Sequence, residues 1–143
     1  MIPLVRPLKG EDTEAALLLY TSLTVGPKEV SAEAFHAVLA HPGTTVFGAE
    51  GGGVLLGIVT LHILPNVTWG GRPYALIENV VTHPDHRRRG IGRTLLMAAT
   101  EAAWAKQTYK IMLMTGKKRG ATGFYEACGF SSEDKTAMVM RDV

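Results

Sequence analysis

Apolar residues alternate with polar ones in some stretches of the chain and recur at three- and four-residue spacing in others, and the switch between the two periods divides it into elements. Ile2 to Pro7 reads as a short strand. Thr13 to Leu23 repeats at the helical period, with Asp12 placed to cap it. Beyond Gly26-Pro27, Ser31 stands ahead of a second short helix that runs to about Leu39 and stops before His41-Pro42-Gly43. Thr44 to Glu50 and Val54 to Leu64 are rich in β-branched and aliphatic residues, and Gly51-Gly52-Gly53 between them supplies the positive φ angles of a tight hairpin. Pro65 ends the second of these strands, and Asn66 to Pro73, with Trp69, Gly70 and Gly71, reads as a loop bordering a pocket. Tyr74 to Thr82 is a further strand, His83-Pro84-Asp85-His86 a turn, and a long helix follows through about Gln107. Lys110 to Met114 reads as a short strand, Gly120 to Ala127 as a short helix, and Gly129-Phe130 as the opening of a last strand ending near Met140.

The order β-α-α-β-β-β-α-β-α-β combines hairpins with one right-handed β-α-β crossover. It predicts an α/β (mixed α+β) fold, a central mixed sheet of six to seven strands covered by helices on both faces. With 143 residues, 46% of them hydrophobic, the chain suits a single domain over 1–143. Leu95, Leu96, Ala99 and Ala103 share one helical face and belong to its core. The lone Cys128 makes no internal disulfide, and no apolar run reaches the length of a membrane span, so a soluble cytoplasmic protein is expected. A net charge of +2 is too small to argue for nucleic acid. The local crowding of Arg87, Arg88, Arg89 and Arg93 is more informative.

Those arginines surround Gly90-Ile91-Gly92, between a strand and a long helix. A glycine-rich turn there aims several backbone N–H groups at one point, and the helix N-terminus adds about half a positive charge. That is a pyrophosphate cradle, although many strand-to-helix turns use glycine for steric reasons alone. No Gly-x-x-x-x-Gly-Lys-Ser/Thr occurs and the third glycine of the dinucleotide fingerprint is missing, which disfavours ATP and NAD.

Arg87-x-x-Gly90-x-Gly92, preceded by Asn79-Val80-Val81-Thr82-His83-Pro84 and followed by Phe124-Tyr125-Glu126-Ala127-Cys128-Gly129-Phe130, resembles the GNAT superfamily of N-acetyltransferases. The match runs from Ile77 to Phe130, and Glu78-x-x-Val81 is similar to the glucosamine-phosphate branch. The resemblance implies acetyl-CoA (coenzyme A) as co-substrate. The amides of Arg88, Arg89, Gly90, Ile91, Gly92 and Arg93 would hold its pyrophosphate, with Arg87 beside them. Val80, Val81 and Thr82 would pair with the pantetheine arm, and a mid-strand bulge would free the Val80 N–H for the thioester carbonyl. Tyr125 aligns with the tyrosine near the coenzyme A sulfur. The family's usual asparagine, ahead of the Phe-Tyr pair, is Lys118 here, so Lys117, Lys118 and Arg119 would meet phosphates instead.

Transfer to an amine requires a base, an oxyanion partner and a proton donor. Glu78 is the carboxylate within the central strand and the candidate base, directly or through water; a solvated or Arg-paired strand residue is the alternative. Tyr125 is the candidate donor; a packed aromatic beside Phe124 is its alternative. Cys128 has no identifiable His partner and reads as packing. His62, His83 and His86 fit no ligand spacing, so no metal is expected. Trp69, Tyr74 and His62 are candidates for the acceptor pocket or for capping a core edge.

These residues give one expectation, an N-acetyltransferase moving acetyl from acetyl-CoA to the primary amine of a small molecule such as an amino sugar, amino acid or polyamine. A protein N-terminal or lysine acetyltransferase, a non-catalytic acyl-CoA sensor and a nucleic-acid patch are the rivals. Apolar Ala137 to Met140 offers an edge for a homodimer; neither nucleic acid nor membrane is expected as a partner.

Overall fold

The glycine triplet turns the chain as its composition requires: Gly52 and Gly53 take φ of 59° and 78°, and β2 (Thr44–Gly51) and β3 (Val54–Leu64) pair antiparallel across it. The computed structural model describes residues 2–23 and 29–142, so the Gly26-Pro27 turn lies outside the described residues. Two units make up the chain, 1–112 and 113–143.

In the first unit, β1 (Leu4–Pro7) pairs antiparallel with β2. α1 (Thr13–Tyr20) and α2 (Ala32–Ala40) follow it, and β4 (Tyr74–Thr82) pairs antiparallel with β3. α3 (Ile91–Ala105) leads to β5 (Ile111–Leu113). The Tyr109 N–H donates to Pro73 O and the Ala75 N–H to Lys110 O, each at 3.0 Å, a march that runs the same way along both strands. The sheet is therefore mixed, in the order β1-β2-β3-β4-β5.

The pleat sends alternate β3 side chains to opposite faces. Ile58 joins Val46 and Val81 in packing against Leu8, Ala16, Leu19 and Phe35, on the face of α1 and α2. Gly57, one residue earlier, faces α3 so closely that a Cβ there would stand 2.8 Å from Leu95 and 3.0 Å from Ile91. Leu95, Leu96, Ala99 and Ala103 are buried, as their spacing predicts. Each large aliphatic side chain so buried contributes about 1.5–3 kcal/mol.

Ser31 caps α2, its Oγ accepting from the Ala34 N–H at 3.0 Å. Asp12 does not cap α1 with its side chain. Its carboxylate instead accepts the Lys9 N–H at 2.8 Å and both Arg6 terminal nitrogens at 2.8 and 2.9 Å. Those Arg6 hydrogen bonds hold the Asp12 carboxyl down at about 2. Arg6 Nε also donates to Glu50 at 3.0 Å, fastening β1 to β2.

In the second unit, a 3-10 turn at Lys117–Arg119 leads to α4 (Thr122–Ala127). Residues 129–140 are described and form no strand where one was expected from Gly129 to Met140, and among the described residues the sheet has five strands rather than six to seven. Residues 131–142 are exposed throughout. Apolar alternation makes a strand only where a neighbouring strand takes its hydrogen bonds, and this segment has none among the described residues.

Candidate active site

β4 carries the first irregularity of functional interest. Ile58 pairs with Val81 and Thr60 with Glu78, so Asn79 and Val80 together stand opposite the single Val59. Asn79 takes a φ of 52°, which a non-glycine residue adopts only under local constraint. This is a β-bulge, which leaves its extra residue outside the ladder. It falls beside Val80, where the family resemblance requires it.

Beyond Thr82, the His83 N–H donates to Leu56 O at 2.7 Å, pinning the strand end, and a 3-10 turn at Pro84–His86 redirects the chain. Arg88 and Gly90 take φ of 62° and 79°. The first hydrogen bond of α3 runs from the Thr94 N–H to Gly90 O at 3.0 Å, so the amides of Gly90, Ile91 and Gly92 have no acceptor inside the helix. Open space lies where a Gly90 Cβ would project, with no atom within 4 Å. The Ile91 side chain is buried and anchors the helix, so its backbone is the part available to a ligand. Arg87, Arg88, Arg89 and Arg93 are all exposed around this turn. Arg89 Nη1 lies 3.4 Å from His86 Nδ1, and both border a cavity of about 230 Å³ with Pro3, Leu56 and Ile91. Exposed cations around amides at the start of a 15-residue helix fit a diphosphate.

On the α1/α2 face of the same strands opens a larger cleft, about 630 Å³, lined by Leu17, Tyr20, Phe35, Thr60, His62 and Asn79 among others. Tyr20 and Phe35 meet edge to face at 6.1 Å. Burial pushes the Tyr20 phenol up, an effect the Thr60 hydroxyl partly offsets. Thr60 Oγ1 is itself buried and has no hydrogen-bond partner of full geometry among the described residues. His62 Nδ1 lies 2.8 Å from Thr44 Oγ1, which is 2.9 Å from His41 Nδ1. Glu78, paired with Thr60, sits on this face, half-buried, and no hydrogen bond or ion pair engages its carboxylate among the described residues.

The second unit holds Lys118 and Tyr125. Lys118 is exposed in the 3-10 turn. Tyr125 is half-buried between Phe124 and Phe130, both edge to face, at 5.1 and 6.3 Å. Burial raises its phenol above the ordinary tyrosine value, Arg119 pulling the other way. Cys128 is half-buried at the end of α4.

The first unit thus brings Glu78, Val80, Val81 and Thr82 onto one strand that feeds directly into the turn bearing Arg87 to Arg93. Of the three proposed pocket side chains, His62 lines the cleft. Trp69 instead stacks on Tyr109 at 5.0 Å, and the Lys110 ammonium lies 5.6 Å over the Tyr74 ring. Sequence reading missed Tyr20, Phe35, Thr60 and Asn79. They are far apart in the chain, and only the left-handed Asn79 carries even a weak local signal, since asparagine tolerates positive φ better than most residues. Among the described residues, no three His, Cys, Asp or Glu side chains cluster as a metal ion would need, and no helix is long and apolar enough to cross a membrane.

A bulged strand running into a glycine-opened helix start is the framework that the resemblance to an acyl-group transferase implies, and comparison with known proteins agrees. Residues 14–130 match the model of the acetyltransferase (GNAT) family. A glucosamine 6-phosphate N-acetyltransferase of Trypanosoma brucei brucei is 32% identical over 135 residues, covering 92% of this chain and 90% of that protein. The solved structure of an Agrobacterium tumefaciens str. C58 protein is 40% identical with a TM-score of 0.89, covering 96% of this chain and 99% of its own. Glucosamine-6-phosphate N-acetyltransferase from Arabidopsis thaliana superposes with a TM-score of 0.83 at 19% identity, over 99% and 98% of the two chains, and so shares the fold. The chain belongs to the GNAT family and is an N-acetyltransferase enzyme.

Proposed function

We propose that the protein transfers an acetyl group from acetyl-CoA to the primary amine of a small molecule, through one catalytic domain spanning 1–143. The observation that carries this reading is the bulge at Asn79 and Val80, one turn of chain ahead of the open amides at Gly90 to Gly92. The amides from Arg88 to Arg93, with the guanidinium of Arg87, hold the diphosphate. Val80, Val81 and Thr82 offer strand edge to the pantetheine arm, and Lys118 adds charge for its phosphates. Bound acetyl-CoA supplies the activated acyl group.

Glu78, with no counter-ion among the described residues, takes the proton from the acceptor ammonium directly or through water. The Val80 N–H, released by the bulge, donates to the carbonyl oxygen as it gains charge. Tyr125, whose burial keeps the proton on its phenol oxygen at neutral pH, is the acid on the thiol side. The exposed Met138, Val139 and Met140 support a homodimer, and an unpaired Cys128 is compatible with a cytoplasmic setting.

Isothermal calorimetry with acetyl-CoA, followed by steady-state kinetics of Glu78→Gln and Tyr125→Phe, tests the assignment. Calorimetry is expected to show binding that both variants retain, while each loses kcat by about 100-fold or more. Absence of acetyl-CoA binding to the unmodified protein would retire the whole reading; unchanged turnover in both variants would retire the roles of the two side chains.

A further inference from the structure

Resting on the transferase reading, the second cleft says what kind of amine is taken. Its walls come from α1 (Leu17, Tyr20) and α2 (Phe35, Val38), and its floor from Thr60, His62 and the bulge residue Asn79. The floor is therefore one residue from Val80, and Glu78 lies on the same sheet face. An acceptor seated here presents its nitrogen where the base and the carbonyl donor meet.

The walls are aliphatic and aromatic, with Phe35 buried and edge to face with Tyr20. Such surfaces reward an apolar body more than a polyhydroxylated ring, since among the wall residues named only Tyr20 carries a hydrogen-bonding group. At the rim stands the carboxylate of Glu29, beside Val30 and Ser31. A carboxylate at the mouth attracts an ammonium and repels a phosphate. On the floor the buried Thr60 hydroxyl, 2% exposed as a residue, faces the Tyr20 phenol, with His62 and Asn79 beside it. The volume, about 630 Å³, suits a molecule of drug-fragment size.

We propose that the acceptor is a primary amine on a short aromatic or branched aliphatic body, not a phosphorylated amino sugar. The curated relatives carry the name of glucosamine 6-phosphate; in this chain the walls at the bulge select against that substrate.

The experiment compares kcat/KM for 2-phenylethylamine and glucosamine 6-phosphate at saturating acetyl-CoA, with calorimetric acetyl-CoA binding measured in parallel. A preference for phenylethylamine of about tenfold or more is expected, the scale on which an apolar pocket discriminates. Phe35→Ala should raise KM for phenylethylamine about tenfold and leave acetyl-CoA binding unchanged. Since Phe35 is buried, Val30→Lys at the exposed rim is the second variant; it should move the ratio toward glucosamine 6-phosphate. Preference for glucosamine 6-phosphate, or turnover of neither amine by protein that binds acetyl-CoA, overturns the inference while leaving the cofactor site standing. Loss of acetyl-CoA binding itself overturns the function on which it rests.

Discussion

The two faces of the sheet are built from the same strands yet obey opposite rules. Toward α3, Gly57, Val59, Leu61, Ala75 and Ile77 meet Leu95, Leu96 and Ala99 in a sealed layer with every member buried. Toward α1 and α2, the intervening positions hold Thr60, His62 and Glu78, and the packing opens into the cleft. One face spends its residues on holding the helix in place. The other keeps polar groups at the point where the strand bulges. The contrast shows how a small α/β enzyme separates stability from chemistry, alternating them residue by residue along a single strand.

Three substitutions break or sharpen that contrast. Leu95→Ala, in the middle of the sealed layer, should cost about 3–5 kcal/mol, read as a lowered denaturant midpoint with unchanged slope. Gly57→Ala follows: its new Cβ would approach Val81 O at 2.9 Å as well as Leu95 at 2.8 Å. The expected destabilisation is about 1–3 kcal/mol, because a backbone oxygen cannot swing aside as a side chain does. The smallest effect belongs to the open face. Thr60→Val replaces a hydroxyl that reaches the Tyr20 phenol with a methyl of the same shape, and thermal unfolding should show stability changed by no more than about 1 kcal/mol. A loss of several kcal/mol there would mean that the hydroxyl is held in a strong hydrogen bond and the cleft face is as fully satisfied as its opposite.

Elements that declare themselves by period were legible in the chain. Tyr74 to Thr82 is β4 as expected, the Gly51 to Gly53 hairpin turns as its glycines dictate, and Ser31 caps its helix through the Ala34 amide. Features that depend on a distant partner were not. Asp12 has the chemistry of a cap, but Arg6 lies close enough to claim its carboxylate with two charge-assisted bonds. Ala137 to Met140 alternates like a strand, yet a strand is a pairing and no local pattern supplies the neighbour. The cofactor half of the candidate site follows the same division. Gly90 announces its left-handed conformation by having no side chain, and the arginines announce their charge. The acceptor cleft stayed hidden because its walls and floor are contributed by helices and strands 22 to 62 residues apart in sequence, from Val38 to Thr60 and from Leu17 to Asn79.

The extra residue in β4 also changes which side chains look which way. Before it, even-numbered Glu78 shares a face with Thr60; after it, odd-numbered Val81 shares that face with Ile58. A single strand can therefore serve as wetted wall over one half and as greasy floor over the other, without bending out of the sheet. Deleting Asn79 would restore regular counting, leave the carboxylate and the valine on the face they now share, and put the Val80 N–H back into the ladder that the bulge releases it from.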